Sequence, residues 1–272
     1  MNKFLRFFVL TALMVIPSGL FAQPVSIKVL DWNVLSFEKT DKSGQNAGFI
    51  IDDHVSLIRE QNPDVVCLNE FETGTSRMGK EKMAEVARAL GGMYSYFIMS
   101  YPKDDGFYGN VILSKYPIIA SSSTLHEYKH ALGKGNYQWN SGKDEQDYGA
   151  DQRSVGYADI AVPSGGSYIV VCIVCSHFDH MGSETVRENQ AKKSVEFASL
   201  ANPVYPTIMC GDLNTNGSAL APLGNAGDHV GVNWVDHMYS FPKGKWTAGD
   251  FKSVPSGNLS DHDPIVATLT LK

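Results

Sequence analysis

Short apolar runs rich in β-branched residues recur along this chain, and each gives way abruptly to a carboxylate, an amide or an imidazole. Val65-Val66-Cys67-Leu68 leads into Asn69-Glu70, residues 168–174 lead into Ser176-His177, and residues 204–210 lead into Gly211-Asp212-Leu213-Asn214. Each run has the length of a buried strand, and none is long enough to cross a bilayer as a helix. The fold is therefore a packed sheet structure whose rims carry polar chemistry.

Further strands are expected at residues 25–32, ending at Asn33, and at 94–101, 109–114, 118–124, 153–162, 233–236 and 265–271. Helices are expected where apolar residues recur at three- and four-residue spacing. Ile51, Val55 and Ile58 form one such face, closed by Asn62-Pro63; Met83, Val86, Ala87 and Leu90 form another, stopped by Gly91-Gly92; Ala191, Val195 and Ala198 mark a third. Residues 126–151, rich in Gly, Lys, Asp and Gln, read as a long exposed insertion. Its Tyr128, Tyr137, Trp139 and Tyr148 can stack on a substrate or pack the loop onto the body.

The first 22 residues read as a secretory signal: Lys3 and Arg6, an apolar run over 7–16, then Pro17-Ser18-Gly19 and Ala22. Their removal leaves about 250 residues, the size of one large domain over 23–272. The formal charge of -6 becomes -8, 21 basic against 29 acidic residues, because the leader takes two basic residues with it. An acidic surface repels polyphosphate backbones, so nucleic acid is a less suitable substrate than a small phosphate ester. No later apolar run reaches transmembrane length, and an exported monomer, periplasmic or secreted, is expected. All four cysteines, Cys67, Cys172, Cys175 and Cys210, lie within apolar runs and read as buried free thiols. Cys172 and Cys175 have the spacing of a redox or zinc pair, but residues three apart in a strand face opposite ways. His54, His126, His130, His229 and His237 read as surface or turn residues.

Asn33, Glu70, His177, Asp212 with Asn214, Asp236, and Asp261 with His262 all sit where an apolar strand meets a loop. Loops at one edge of a sheet structure are neighbours in space and collect a site from distant parts of the chain. Carboxylate and amide oxygens suit Mg²⁺, Mn²⁺ or Ca²⁺, and histidines beside carboxylates can move protons or stabilise charge. That inventory fits hydrolysis of a phosphate ester.

Asn33 after a strand, Leu-Asn-Glu ending at Glu70, Gly-Asn-Val-Ile-Leu-Ser at 109–114, Ser-His-Phe-Asp-His at 176–180, Gly-Asp-Leu-Asn at 211–214 and Ser-Asp-His at 260–262 resemble, in this order, the endonuclease/exonuclease/phosphatase superfamily. The resemblance covers nearly all of 23–272. It implies a four-layer α-β-β-α sandwich of the deoxyribonuclease I type, with two mixed β-sheets face to face and helices outside. It also implies a divalent-metal phosphoesterase site at one end, with Mg²⁺ the expected ion. Within it Glu70 is the principal metal carboxylate, assisted by Asn33 and Asp261. Asp212 matches the water-activating or leaving-group carboxylate, Asn214 the phosphate-holding amide, and His262 the histidine on the phosphoryl group, oriented by Asp236. His177 matches a second histidine of the deoxyribonuclease and sphingomyelinase branches. Asn110 and Arg153 fall where phosphate contacts are frequent.

Leu35 stands where the resembled apurinic endonucleases carry an acidic residue, which with His177 and the acidic charge points away from DNA repair. The expected function is exported, metal-dependent hydrolysis of a phosphodiester or phosphomonoester in a small molecule or lipid headgroup. A secreted nuclease and an inactive binding relative are the alternatives. Asp212 and His262 both remain open as the general base.

Overall fold

The apolar runs are apolar at every position because both faces of their sheets are covered. In the computed structural model, which describes residues 24–40, 46–49, 51–126, 152–181, 183–200 and 205–272, two six-stranded sheets pack against each other. One runs β13 (Trp246–Ser253), β14 (Ile265–Leu271), β1 (Ser26–Asn33), β4 (Val65–Thr73), β6 (Gly106–Ser114), β5 (Tyr94–Lys103). The other runs β11 (Asp228–Asn233), β12 (Asp236–Phe241), β10 (Thr207–Asp212), β9 (Ser167–Ser176), β8 (Ser154–Ser164), β7 (Ile118–Leu125). A two-stranded ribbon pairs β2 (Glu38–Thr40) with β3 (Asn46–Phe49). β1 and β4 are parallel, as are β9 and β10, while their other neighbours are antiparallel, so both sheets are mixed.

Alternation along each strand divides the apolar residues among three cores. Val65 and Cys67 point between the sheets with Val29, Ile112, Ile173, Ile208 and Ile265. Val66 and Leu68 point outward to Val55 and Ile58 of α1 (Ile51–Gln61) and Val86 of α2 (Lys82–Ala89). On the opposite outer face Cys172, Val174 and Met209 meet Ala191 and Phe197 of α3 (Glu184–Leu200) and Leu223 of α4 (Ala221–Ala226). Each fully buried Val, Leu or Ile contributes about 1.5–3 kcal/mol relative to exposure. The result is the expected four-layer sandwich. Cys172 and Cys175 indeed face opposite cores, and all four cysteines are free and buried.

Some expectations need correcting. Residues 233–236 are not one strand but a hairpin corner: Asn233 ends β11, Trp234 at φ 54 and Val235 turn the chain, and Asp236 begins β12. β4 runs on past Glu70 to Thr73. His54, His126 and His237 are buried rather than superficial; His54 stacks on Trp32 at 4.9 Å and bonds the Leu259 carbonyl at 2.7 Å. The expected leader (1–22), His130 and the aromatic residues of the 126–151 insertion lie outside the described residues. No helix among the described residues is long and apolar enough to cross a membrane.

Candidate active site

Four local devices aim side chains into one end of the sandwich. β4 carries a bulge against β6 between Leu68 and Phe71, and Glu70 takes up the extra position at φ 58; a bulge re-aims the side chain it displaces. After Asn33 the chain makes a left-handed turn at Leu35, Ser36 and Phe37, with φ values of 45, 53 and 59. After β10, Asn214 sits at φ 49, an Asn-tolerated conformation that turns its amide back over the sheet end. Gly211 holds φ 155 where a Cβ would lie 1.8 Å from the Ser176 carbonyl oxygen, so only glycine allows β9 and β10 to approach this closely.

The side chains so placed form one hydrogen-bonded network. Asp212 Oδ2 accepts from Asn33 Nδ2 at 3.0 Å and lies 3.3 Å from His177 Nε2 and 3.6 Å from His262 Nε2. Asn33 Nδ2 also donates to Glu70 Oε1 at 3.1 Å, while its Oδ1 accepts the Leu35 N–H at 3.0 Å. In this orientation Asn33 secures two carboxylates and has its oxygen engaged by the backbone. His262 Nδ1 pairs with Asp236 Oδ2 at 2.8 Å. Trp32 Nε1 donates to the His262 carbonyl, and Ser260 Oγ bonds the Asn33 carbonyl, which together fasten the Ser-Asp-His loop to β1. Arg153 Nη1 donates to His177 Nδ1 at 3.2 Å, while His177 Nε2 lies 3.3 Å from Asp212 Oδ2 and 3.2 Å from the Asn214 amide nitrogen.

These contacts set opposite charges side by side. Burial opposes ionisation of Asp212, yet the adjacent His177 and His262 and the Asn33 donor outweigh it and hold the carboxyl well below the usual range. Burial likewise disfavours the His262 cation, but Asp236, Asp212 and Asp261 override it and raise its value to about 9. Burial, partly offset by the His262 bond, pushes Asp236 up to about 6. At neutral pH the arrangement is an imidazolium between two carboxylates.

Glu70, Arg153, His177, Asp212, Asn214, Asp261 and His262 all line one cleft of about 380 Å³. Asn33 and Asp236 stand immediately behind it, bonded to its lining residues. Asn110 does not line the cleft; it is buried, accepts from Asn69 Nδ2 at 2.9 Å and donates to Ser154 Oγ at 3.2 Å. Sequence reasoning passed over several contributors. Asn69 accepts the Asp212 N–H at 3.0 Å, and its only sequence signal was its place beside Glu70. Trp234 is 59 % exposed at the cleft mouth, its ring 4.6 Å from that of His262. Tyr108 and Tyr101 stack at 4.7 Å along the opposite wall, where Arg77 and Lys103 also lie, both paired with Glu72.

Glu70 and Asp261 offer carboxylate oxygens to the cleft, a donor set that fits a hard divalent cation. Atoms of Asp212, Asp236 and His262 also converge within 4.8 Å, but the 2.8 Å Asp236–His262 bond commits that group to an ion pair.

No curated protein matches the chain in sequence. Solved structures do match in fold. An endonuclease/exonuclease/phosphatase from Bacteroides vulgatus has TM-score 0.68 at 16% identity, over 91% of this chain and all of that one (100%). ANGEL2, a 2',3'-cyclic phosphatase, has TM-score 0.67 at 13% identity, covering 91% and 96%. The Bacteroides thetaiotaomicron mannosyl-6-phosphatase Bt3783 has TM-score 0.56 at 13% identity, covering 89% and 99%. The sequence model described as Endonuclease/Exonuclease/phosphatase family matches residues 32–262, from the residue before Asn33 to His262 itself, and the chain belongs to that family of phosphoesterases.

Proposed function

We propose that the protein is an exported, Mg²⁺-dependent phosphoesterase that hydrolyses a small phosphate ester. The observation that carries this reading is the meeting of Glu70, Asp261, Asp212, His177 and His262 in one cleft. A divalent cation held by Glu70 and Asp261 would supply neutralisation of the charge that develops on the phosphoryl oxygens. Asp212, kept ionised by its neighbours, accepts a hydrogen bond from the attacking water and fixes its line of approach. His262 donates its Nε2 proton to a phosphoryl oxygen, and Asp236 holds the ring for that donation. His177 and Asn214 complete the wall next to Asp212, with Arg153 holding the His177 ring from its Nδ1 side. The electrostatics thus support an ionised Asp212 as the group that holds the attacking water and His262 as the donor to the phosphoryl group.

Several features favour a small substrate. The cleft volume suits a compact ligand, the chain is acidic, and similar folds include a mannosyl-6-phosphatase and a 2',3'-cyclic phosphatase. Export rests on the basic and apolar segments of residues 1–22. The test is an assay of protein spanning 23–272 with Mg²⁺, Mn²⁺ or Ca²⁺, with and without chelator. Its substrates are a nitrophenyl diester, a nitrophenyl monoester, sphingomyelin, RNA and plasmid DNA. Chelator-sensitive turnover of a small ester is expected. Rapid plasmid nicking would make it a nuclease, and no turnover of any ester would make it a binding protein.

A further inference from the structure

Behind the cleft, between the sheets, a second set of ligating side chains meets. Asp31 on β1, Cys67 on β4 and Cys175 on β9 bring one carboxylate oxygen and two sulfurs within 4.8 Å of one another. The Cys67 thiol also shares hydrogen bonds with Cys175 and with Cys210 on β10. Asp31 is 0 % exposed, and neither of its carboxylate oxygens has a hydrogen-bond partner. A carboxyl group enclosed in an apolar core without a donor is costly and calls for a compensating partner. The ligating groups beside it are thiols, weak donors but strong metal ligands once deprotonated.

We propose that Asp31, Cys67 and Cys175, with Cys210 alongside, form a structural site for a single zinc ion that pins the two sheets together. Sulfur ligands select a softer cation than the oxygens of the cleft do. Around tetrahedral zinc, sulfurs stand about 3.8 Å apart, so the group need close by only about an ångström. Both sheets contribute: Asp31 and Cys67 from one, Cys175 and Cys210 from the other. Each ligand also precedes a residue of the candidate site by two or three positions: Asp31 before Asn33, Cys67 before Glu70, Cys175 before His177, Cys210 before Asp212. A cation here would therefore fix the relative height of the strand ends that build the cleft. Because the ligands are buried, loading accompanies folding; each S–H bond broken releases a proton to water as a Zn–S bond forms.

The test uses the protein spanning 23–272, refolded from urea with Zn²⁺ or Co²⁺ and then dialysed against chelator. About one retained zinc per chain by mass spectrometry of the metal is expected, together with a near-ultraviolet thiolate-to-cobalt band that an all-oxygen cleft cannot produce. The band should vanish in Cys67→Ala and Cys175→Ala, weaken in Asp31→Asn and persist in Glu70→Gln. A wild-type protein that retains no zinc and shows no thiolate band overturns the site, as does a band that survives Cys67→Ala but is lost in Glu70→Gln. The wild-type measurement decides even where a variant fails to fold, and it reads nothing from ester hydrolysis.

Discussion

His262 lies between two carboxylates that serve it differently. Asp236, 2.8 Å from Nδ1, orients the ring, and Asp212, 3.6 Å from Nε2, faces the proton the ring would give up. Both favour the cation, so Asp236→Asn should bring the His262 titration midpoint down from about 9 towards its ordinary 6.5, read by NMR of the ring protons. An unmoved midpoint would show that Asp236 is not its electrostatic partner. The raised value also makes stability depend on pH. A folded-state value above the unfolded one contributes stability fully below about 6.5 and loses it as pH rises through about 9. Asp236, raised to about 6, has the same sign at lower pH. The urea midpoint should therefore be lower at pH 9.5 than at pH 7, and this difference should shrink in His262→Ala. That variant should also lose on the order of a hundredfold in rate while remaining folded. A loss of only a fewfold would remove His262 from the chemistry.

The bulge in β4 is where an element gives up regularity for chemistry. Up to Leu68 the strand alternates between the two cores, and Phe71 resumes the outward face with Leu68, leaving Glu70 as the displaced residue at φ 58. A left-handed backbone costs a residue with a Cβ roughly 1–2 kcal/mol, and glycine avoids this. Glu70→Gly should consequently raise the melting temperature while removing at least two orders of magnitude of rate. A variant that is both less stable and still active would mean that the bulge serves packing alone. Glu70 at the close of its apolar run was legible in sequence because that run is buried on both faces; the bulge and the strand's continuation to Thr73 were not, since a one-residue register shift leaves no compositional trace. β11 and β13 escaped detection for a related reason. They are edge strands with largely exposed or half-buried side chains, and His229-Val230-Gly231 and Thr247-Ala248-Gly249-Asp250 show no apolar alternation. Their pairing is carried by backbone bonds to β12 and β14, which any sequence can make.

The candidate site belongs to neither sheet. Glu70 and Asn33 come from one sheet, His177 and Asp212 from the other, and Asp236 in the second sheet holds His262, whose loop leads into β14 of the first. Their motif order was readable in the sequence, but the fastening between the halves was not, because it runs through a residue with no chemistry of its own to advertise. Asn69 on β4 accepts the Asp212 N–H at 3.0 Å and donates to the Ser176 carbonyl at 3.3 Å, joining β4 to both β10 and β9 across the sandwich. Asn69→Leu keeps the volume and removes these bonds and the one to Asn110, leaving the buried Asp212 N–H without its side-chain acceptor. Each such unpaired group costs about 1–3 kcal/mol, so the urea midpoint should fall accordingly. If Asn69 also sets the height of Asp212 relative to Glu70, kcat should fall at least tenfold at temperatures where the variant is fully folded, with KM little changed, since misplacement of reacting groups lowers turnover more than binding. A variant that is destabilised yet retains wild-type kcat would show that each sheet holds its own half of the site without the other.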